Sequence, residues 1–231
     1  MQFTLATLLS VLAATATAHT TVYSVYVNGV DQGDGRNTYI RSPPNNNPVK
    51  DVTSSSIRCN VNNRVVPNWV SAKAGDTLTF EWYHDARGDE IIASSHKGPV
   101  MVYIGTEDGS AWTKIAAEGL SGGVWAVDKL IANKGKHTAT IPSSLKPGNY
   151  LFRAEIIGLH EAETNYNTNS ARGAQFYPSC SQITITSGGS TSPPGGNTFP
   201  GTYTATDPGI LFNLYSNPTS YPIPGGAVWS G

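Results

Sequence analysis

Charge is scarce in this 231-residue chain: only 13% of residues are Asp, Glu, Lys or Arg, and the net charge is −1. That excludes a basic surface able to hold nucleic acid by its phosphates, and an uncharged polymer is the more natural partner. Cysteine is nearly absent as well. Cys59 and Cys180 are the only two, so there is no Cys-x-x-Cys spacing for a redox pair or a cysteine zinc site. No second apolar span follows the N-terminal one, which predicts a soluble product with no membrane segment.

What is present begins at the N-terminus. Residues 1–18 carry no charged side chain, and an apolar run from Phe3 to Ala13 gives way to small residues, the pattern of a removable secretory signal and too short to span a bilayer. Cleavage after Ala18 leaves His19 as the first residue. The Ala14-Thr15-Ala16 stretch offers a competing site that leaves Thr17 first. Export implies an oxidising exterior, where Cys59 and Cys180 form a disulfide by default. A leading histidine is a chelator, because its α-amine and its Nδ1 can grip one metal ion together.

Removing 18 of 231 residues leaves 213, enough for one all-β domain with a real core, or for a smaller domain plus a tail. Apolar residues recur with period two over 22–27, 77–83, 100–104, 137–141, 150–156 and 182–186, which predicts strands. Turn residues such as Lys146-Pro147-Gly148-Asn149 precede them. The expected architecture is an antiparallel β-sandwich, with long irregular loops over 40–56 and 158–173. Residues 19–187 form the expected sandwich domain. From Gly188 the composition turns to Gly, Ser and Pro, so 188–231 is expected to be a linker and C-terminal extension, strapped across the sandwich or partly disordered.

Candidate chemistry lies in His19, His96, His160 and the segment Gln175-Phe176-Tyr177-Pro178-Ser179-Cys180. Gln175 and Tyr177, two apart, project from the same strand face. An amine and two imidazoles form a T of three nitrogens, a field that favours Cu(II) over tetrahedral zinc. Each residue also has an ordinary reading: His96 as a loop histidine, His160 as a buried hydrogen-bonded one, Tyr177 as a core aromatic with a satisfied hydroxyl. His84 and His137 read as ordinary polar residues.

Three segments in order, 94–99 (SSHKGP), 150–160 (YLFRAEIIGLH) and 173–177 (GAQFY), resemble the fungal family-nine auxiliary-activity lytic polysaccharide monooxygenases, once classed as glycoside hydrolase family sixty-one. The resemblance runs from His19 to about Thr186 and implies an immunoglobulin-like or fibronectin-like sandwich with a flat substrate face. By it, His19 and His96 form a histidine brace for one copper ion, with Tyr177 as axial neighbour. His160 and Gln175 become the hydrogen-bonding pair beside the metal, and His160 the candidate proton donor.

The implied reaction is oxidation of a β-1,4-glucan at the glycosidic linkage, at C1, C4 or both. It uses O2 or H2O2 and an external reductant such as cellobiose dehydrogenase or a phenolic, and the enzyme is expected to act as a secreted monomer. Asn46, His84, Asp85, Glu161, Glu163 and Arg172 match loop positions that line the face. Tyr215 and Tyr221 are candidates to stack on sugar rings. The cysteine-free tail does not resemble a disulfide-stapled cellulose-binding module, so surface affinity must come from the face itself. That predicts acceptance of soluble cello-oligosaccharides and hemicelluloses beside cellulose. The rival readings are a hydrolase using two of Glu155, Glu161 and Glu163, and a noncatalytic copper- or carbohydrate-binding module.

Overall fold

A computed structural model describes residues 19–231; the proposed signal over 1–18 lies outside the described residues. In chain order the elements are β1 (Thr21–Val27), β2 (Val30–Asp31), β3 (Val70–Ala72), β4 (Thr77–Tyr83), β5 (Val100–Thr106), β6 (Trp112–Glu118), β7 (Leu120–Ser121), β8 (Val124–Trp125), helix α1 (Ala126–Ala132), β9 (Lys136–Thr140), β10 (Gly148–Gly158) and β11 (Gln175–Ile185). The six sequence-expected strands correspond to β1, β4, β5, β9, β10 and β11. The last begins at Gln175, seven residues before the start that alternation alone suggested, because its N-terminal half is buried throughout.

Two sheets stack, ordered β2-β1-β4-β9 and β3-β11-β10-β5-β6. All their pairings are antiparallel except β11 with β3. Alternation sorts the residues. Val22, Val25, Leu78, Phe80 and Trp82 meet Val102, Ile104, Phe152, Ala154, Ile156 and Tyr177 between the sheets.

The opposite face of the five-stranded sheet is also buried. Met101, Tyr103, Leu151, Ile157 and Phe176 lie beneath Phe199, Tyr203, Ile210 and Tyr221 of the tail. The tail is therefore a strap carrying part of the core. It is pinned by Lys114, whose Nζ donates to Pro224 O (2.6 Å) and Gly226 O (2.8 Å), and by Tyr203 Oη, which donates to Glu155 Oε2 (2.6 Å). Glu155 is in turn gripped by Arg153, and both are fully buried. The expected disulfide joins Cys59 to Cys180, fastening the long loop after β2 to β11.

Candidate metal centre

Four strand ends meet at one rim of the sandwich. Antiparallel pairing sets Gly158 opposite Gln175 and Ile156 opposite Tyr177, so the end of β10 delivers His160 beside the start of β11. The segment before β5 runs alongside: Leu159 N donates to Lys97 O (2.9 Å) and Ile157 N to Pro99 O (3.3 Å). This carries His96 to the same place. The chain enters β1 there too, held by Thr20 Oγ1 donating to Tyr83 O (3.0 Å) and by Val22 N donating to Ser179 Oγ (3.4 Å).

The result is a cluster that sequence separation hides. The His96 and His160 rings lie 3.8 Å apart, centre to centre. The Tyr177 ring lies 6.2 Å from both His19 and His96. Beneath the two imidazoles is Gly158, where an added Cβ would meet His96 Cδ2 at 3.2 Å and His160 Nδ1 at 3.5 Å. Position 98 is tighter still, since a Cβ there would overlap Ile157 O at 1.8 Å. Glycine at both places lets the histidine segments pack against β10.

Burial pushes the His96 ring down to about 3, reinforced by the neighbouring rings of His160 and His19. Burial lowers His160 as well, with Glu161 acting in the opposite sense. His19 is lowered by burial, opposed by the Asn47 side chain. All three imidazoles are thus biased toward the neutral form that ligates metal. Tyr177 is pushed upward by burial and by the charge of Glu161, so its phenol keeps its proton and donates it to Gln175 Oε1 (2.6 Å).

At this rim His96 Nε2 and His160 Nδ1 are buried without a well-formed hydrogen bond, though the Gln175 side chain lies near enough to His96 to favour its charged form; His137 Nε2, on β9, is buried and unpaired as well. A buried imidazole nitrogen is normally paired. An ion bound at His96 Nε2, beside His19, supplies the missing partner, so the donor set fits a metal that prefers nitrogen ligands.

The surrounding loops bring several expected face residues to this rim. Asn46 Nδ2 donates to His84 O (3.0 Å). Asp89 accepts from the backbone N–H groups of His84, Asp85, Ala86 and Ile91, which fixes the loop presenting His84 and Asp85. That saturated carboxylate makes the nearby grouping of His84, Asp89 and Glu90 a loop lock. An open cleft of about 600 Å³ lies alongside, walled by Arg36, Asn46, Tyr83 and Asp85. Glu163 and Arg172 pair with each other. Tyr215 is 64% exposed, and its hydroxyl donates to His160 O (2.8 Å).

Tyr221 corrects the sequence reading. It is 9% exposed, packed edge-on against Trp125 and Phe212, and bonded through its hydroxyl to Gly209 O. It is a core aromatic with no free face for a sugar ring. Glu155, offered as a hydrolytic acid, is likewise sealed against Arg153 with no access to substrate. Sequence reasoning missed Lys50, whose Nζ donates to Glu161 Oε2 (3.4 Å) and Ala171 O (2.6 Å), and the spacer role of Gly158. Neither has a motif around it, and only the folded loops bring them near the histidines.

Fold and donors together define a class, a β-sandwich with a candidate metal centre at one rim. Comparison with known proteins then gives the family. The model described as Auxiliary Activity family 9 (formerly GH61) matches residues 19–221, and the chain belongs to that family. It is 55% identical to an AA9 family lytic polysaccharide monooxygenase A of Schizophyllum commune, covering 97% of this chain and 94% of that one. It is 53% identical to the protein of the same name from Phanerochaete carnosa, covering 100% and 89%. The solved structure titled CvAA9A superposes with a TM-score of 0.89 at 51% identity, covering 91% of this chain and 98% of that one. The chain is thus an oxidoreductase of the lytic polysaccharide monooxygenase class.

Proposed function

We propose that the chain is exported, trimmed to begin at His19, and acts as a copper-dependent monooxygenase that breaks β-1,4-glucan chains by hydroxylating C1 or C4. The observation that carries this reading is the convergence of the His19, His96, His160 and Tyr177 rings at one rim, with His96 Nε2 buried there. The His19 α-amine, His19 Nδ1 and His96 Nε2 would hold the ion, with Tyr177 close to both rings.

Copper bound there supplies the reductive activation of O2 or H2O2 that puts C–H hydroxylation within reach. With O2 the net change consumes two electrons from an external reductant and two protons, inserts one oxygen atom into the C–H bond and releases water. With H2O2 the peroxide itself supplies the oxidising equivalents. The hydroxylated carbon then expels its glycosidic oxygen and the chain breaks.

The protein's own residues supply the rest. His160, whose ring stacks 3.8 Å from that of His96, is the imidazole placed to hold and hand over a proton beside the candidate centre. Gln175 keeps the Tyr177 proton engaged, so the phenol stays in place as a neutral neighbour. Asn46, Asp85, Glu161, Glu163, Arg172 and Tyr215 are the polar and aromatic groups available to sugar hydroxyls and rings around the rim, whereas His84, expected there, is 6% exposed and turned toward Asp85 and Glu90. An insoluble polymer needs an open site of this kind. The family supports oxidative attack on polysaccharide; cellulose, with related β-glucans, is our choice within that class.

The test is product analysis on amorphous cellulose with ascorbate. Aldonic acids or C4-ketosugars that vanish on copper chelation support the reading. Plain reducing ends, or release of products unaffected by chelation, contradict it.

A further inference from the structure

A single line of hydrogen bonds runs from the rim into the candidate metal centre. Lys50 Nζ donates to Glu161 Oε2 (3.4 Å), Gln175 Nε2 donates to the same oxygen (3.2 Å), and Tyr177 Oη donates to Gln175 Oε1 (2.6 Å). Gln175 is 6% exposed and Tyr177 1%, so water cannot readily replace a lost partner. A primary amide carries a donor end and an acceptor end of nearly equal shape, and nothing in its own geometry decides which end faces which neighbour. An ionised carboxylate decides it, because it only accepts. Turned through 180°, Gln175 would set Oε1 against Glu161, acceptor against acceptor. Nε2 would then face the phenol and drive its proton away, toward the histidines.

We propose that Glu161, steadied by Lys50, is a positioning residue: it locks the amide of Gln175 so that the Tyr177 hydroxyl is always the donor and presents only lone pairs toward the metal. The inference rests on the copper reading above. It gives Glu161 a duty in the substrate-free protein, distinct from any bond it makes to sugar. Lys50 ties the relay to the Ala171 carbonyl, so the two loops that flank the rim share one anchor.

The test uses the copper-loaded chain beginning at His19, with spectra recorded without substrate and kcat and KM measured on a soluble cello-oligosaccharide with reductant. Glu161→Gln keeps the shape but can donate or accept, and therefore permits both amide orientations. The expected result is one copper ion bound with affinity within about threefold of the parent, a Cu(II) paramagnetic resonance spectrum that shifts or splits into two species, and a kcat about tenfold lower, in the range seen when groups behind metal ligands are changed. Lys50→Met should move the spectrum in the same direction by less. An unchanged substrate-free spectrum and kcat in Glu161→Gln, with only KM raised, overturns the proposal and makes Glu161 a sugar contact alone. Failure of the unsubstituted chain to bind copper is a separate result, which overturns the functional reading itself.

Discussion

Gly158 sits under the two imidazoles, close enough to His96 that a larger residue would crowd its ring. An added Cβ meets His96 Cδ2 at 3.2 Å and His160 Nδ1 at an ordinary 3.5 Å, so the His96 ring must give by a few tenths of an ångström. We predict that Gly158→Ala lowers copper affinity about tenfold while costing no more than about 1–2 kcal/mol of stability; calorimetric copper titration and urea unfolding separate the two. That His19, His96, His160, Gln175 and Tyr177 belong together was legible in the sequence, because their residue types and their order along the chain carry the resemblance, and the fold brings them to one rim. Gly158 and Lys50 were not, since a glycine ending a strand and a lysine in a proline-rich loop look ordinary until the chain folds around them. Tyr221 misled for a related reason. An aromatic in a polar tail looks available, and only the packing of Trp125 and Phe212 around it shows otherwise.

Among the elements, the strap over 188–231 is where composition alone left two readings. Composition left it open between a strap and a partly disordered tail, and the packing decides for the strap: Phe199, Tyr203 and Ile210 complete an apolar layer that the outer face of the five-stranded sheet cannot close alone. Tyr203 donates to buried Glu155, so Tyr203→Phe leaves that carboxylate short of a partner. We expect it to cost about 1–3 kcal/mol by urea denaturation, with the copper site unchanged.

Lys114 gives a pH signature. Burial pushes its ammonium down to about 8 from 10.5. Between those values the unfolded chain binds more protons than the folded one, so stability owed to this position rises with pH there. Measured from pH 8 to 10.5, the native chain should gain stability relative to Lys114→Met; a flat difference contradicts the assignment. Strand β6 escaped the sequence reading because Lys114 lies buried within it, and helix α1 because seven residues are too few to establish a helical period.

For the molecule as a whole, the sandwich is a frame that brings β1, β5, β10 and β11 to a common rim, and alternation made that frame readable in advance. The convergence of their ends was not readable, because it depends on register and on loops of irregular backbone. One covalent tie secures the frame. The Cys59–Cys180 bridge closes a sequence separation of 121 residues, and reducing it in metal-free protein should remove about 4–5 kcal/mol by loop entropy, seen as a lower denaturation midpoint.

The account depends most on a free amine at His19 acting with His96. Its most direct test measures oxidised products released from cellulose by two copper-loaded chains, one beginning at His19 and one retaining Ala18 before it. The account predicts abundant aldonic acids or C4-ketosugars from the first and essentially none from the second, whose His19 nitrogen is an amide. Equal product release from both would contradict it.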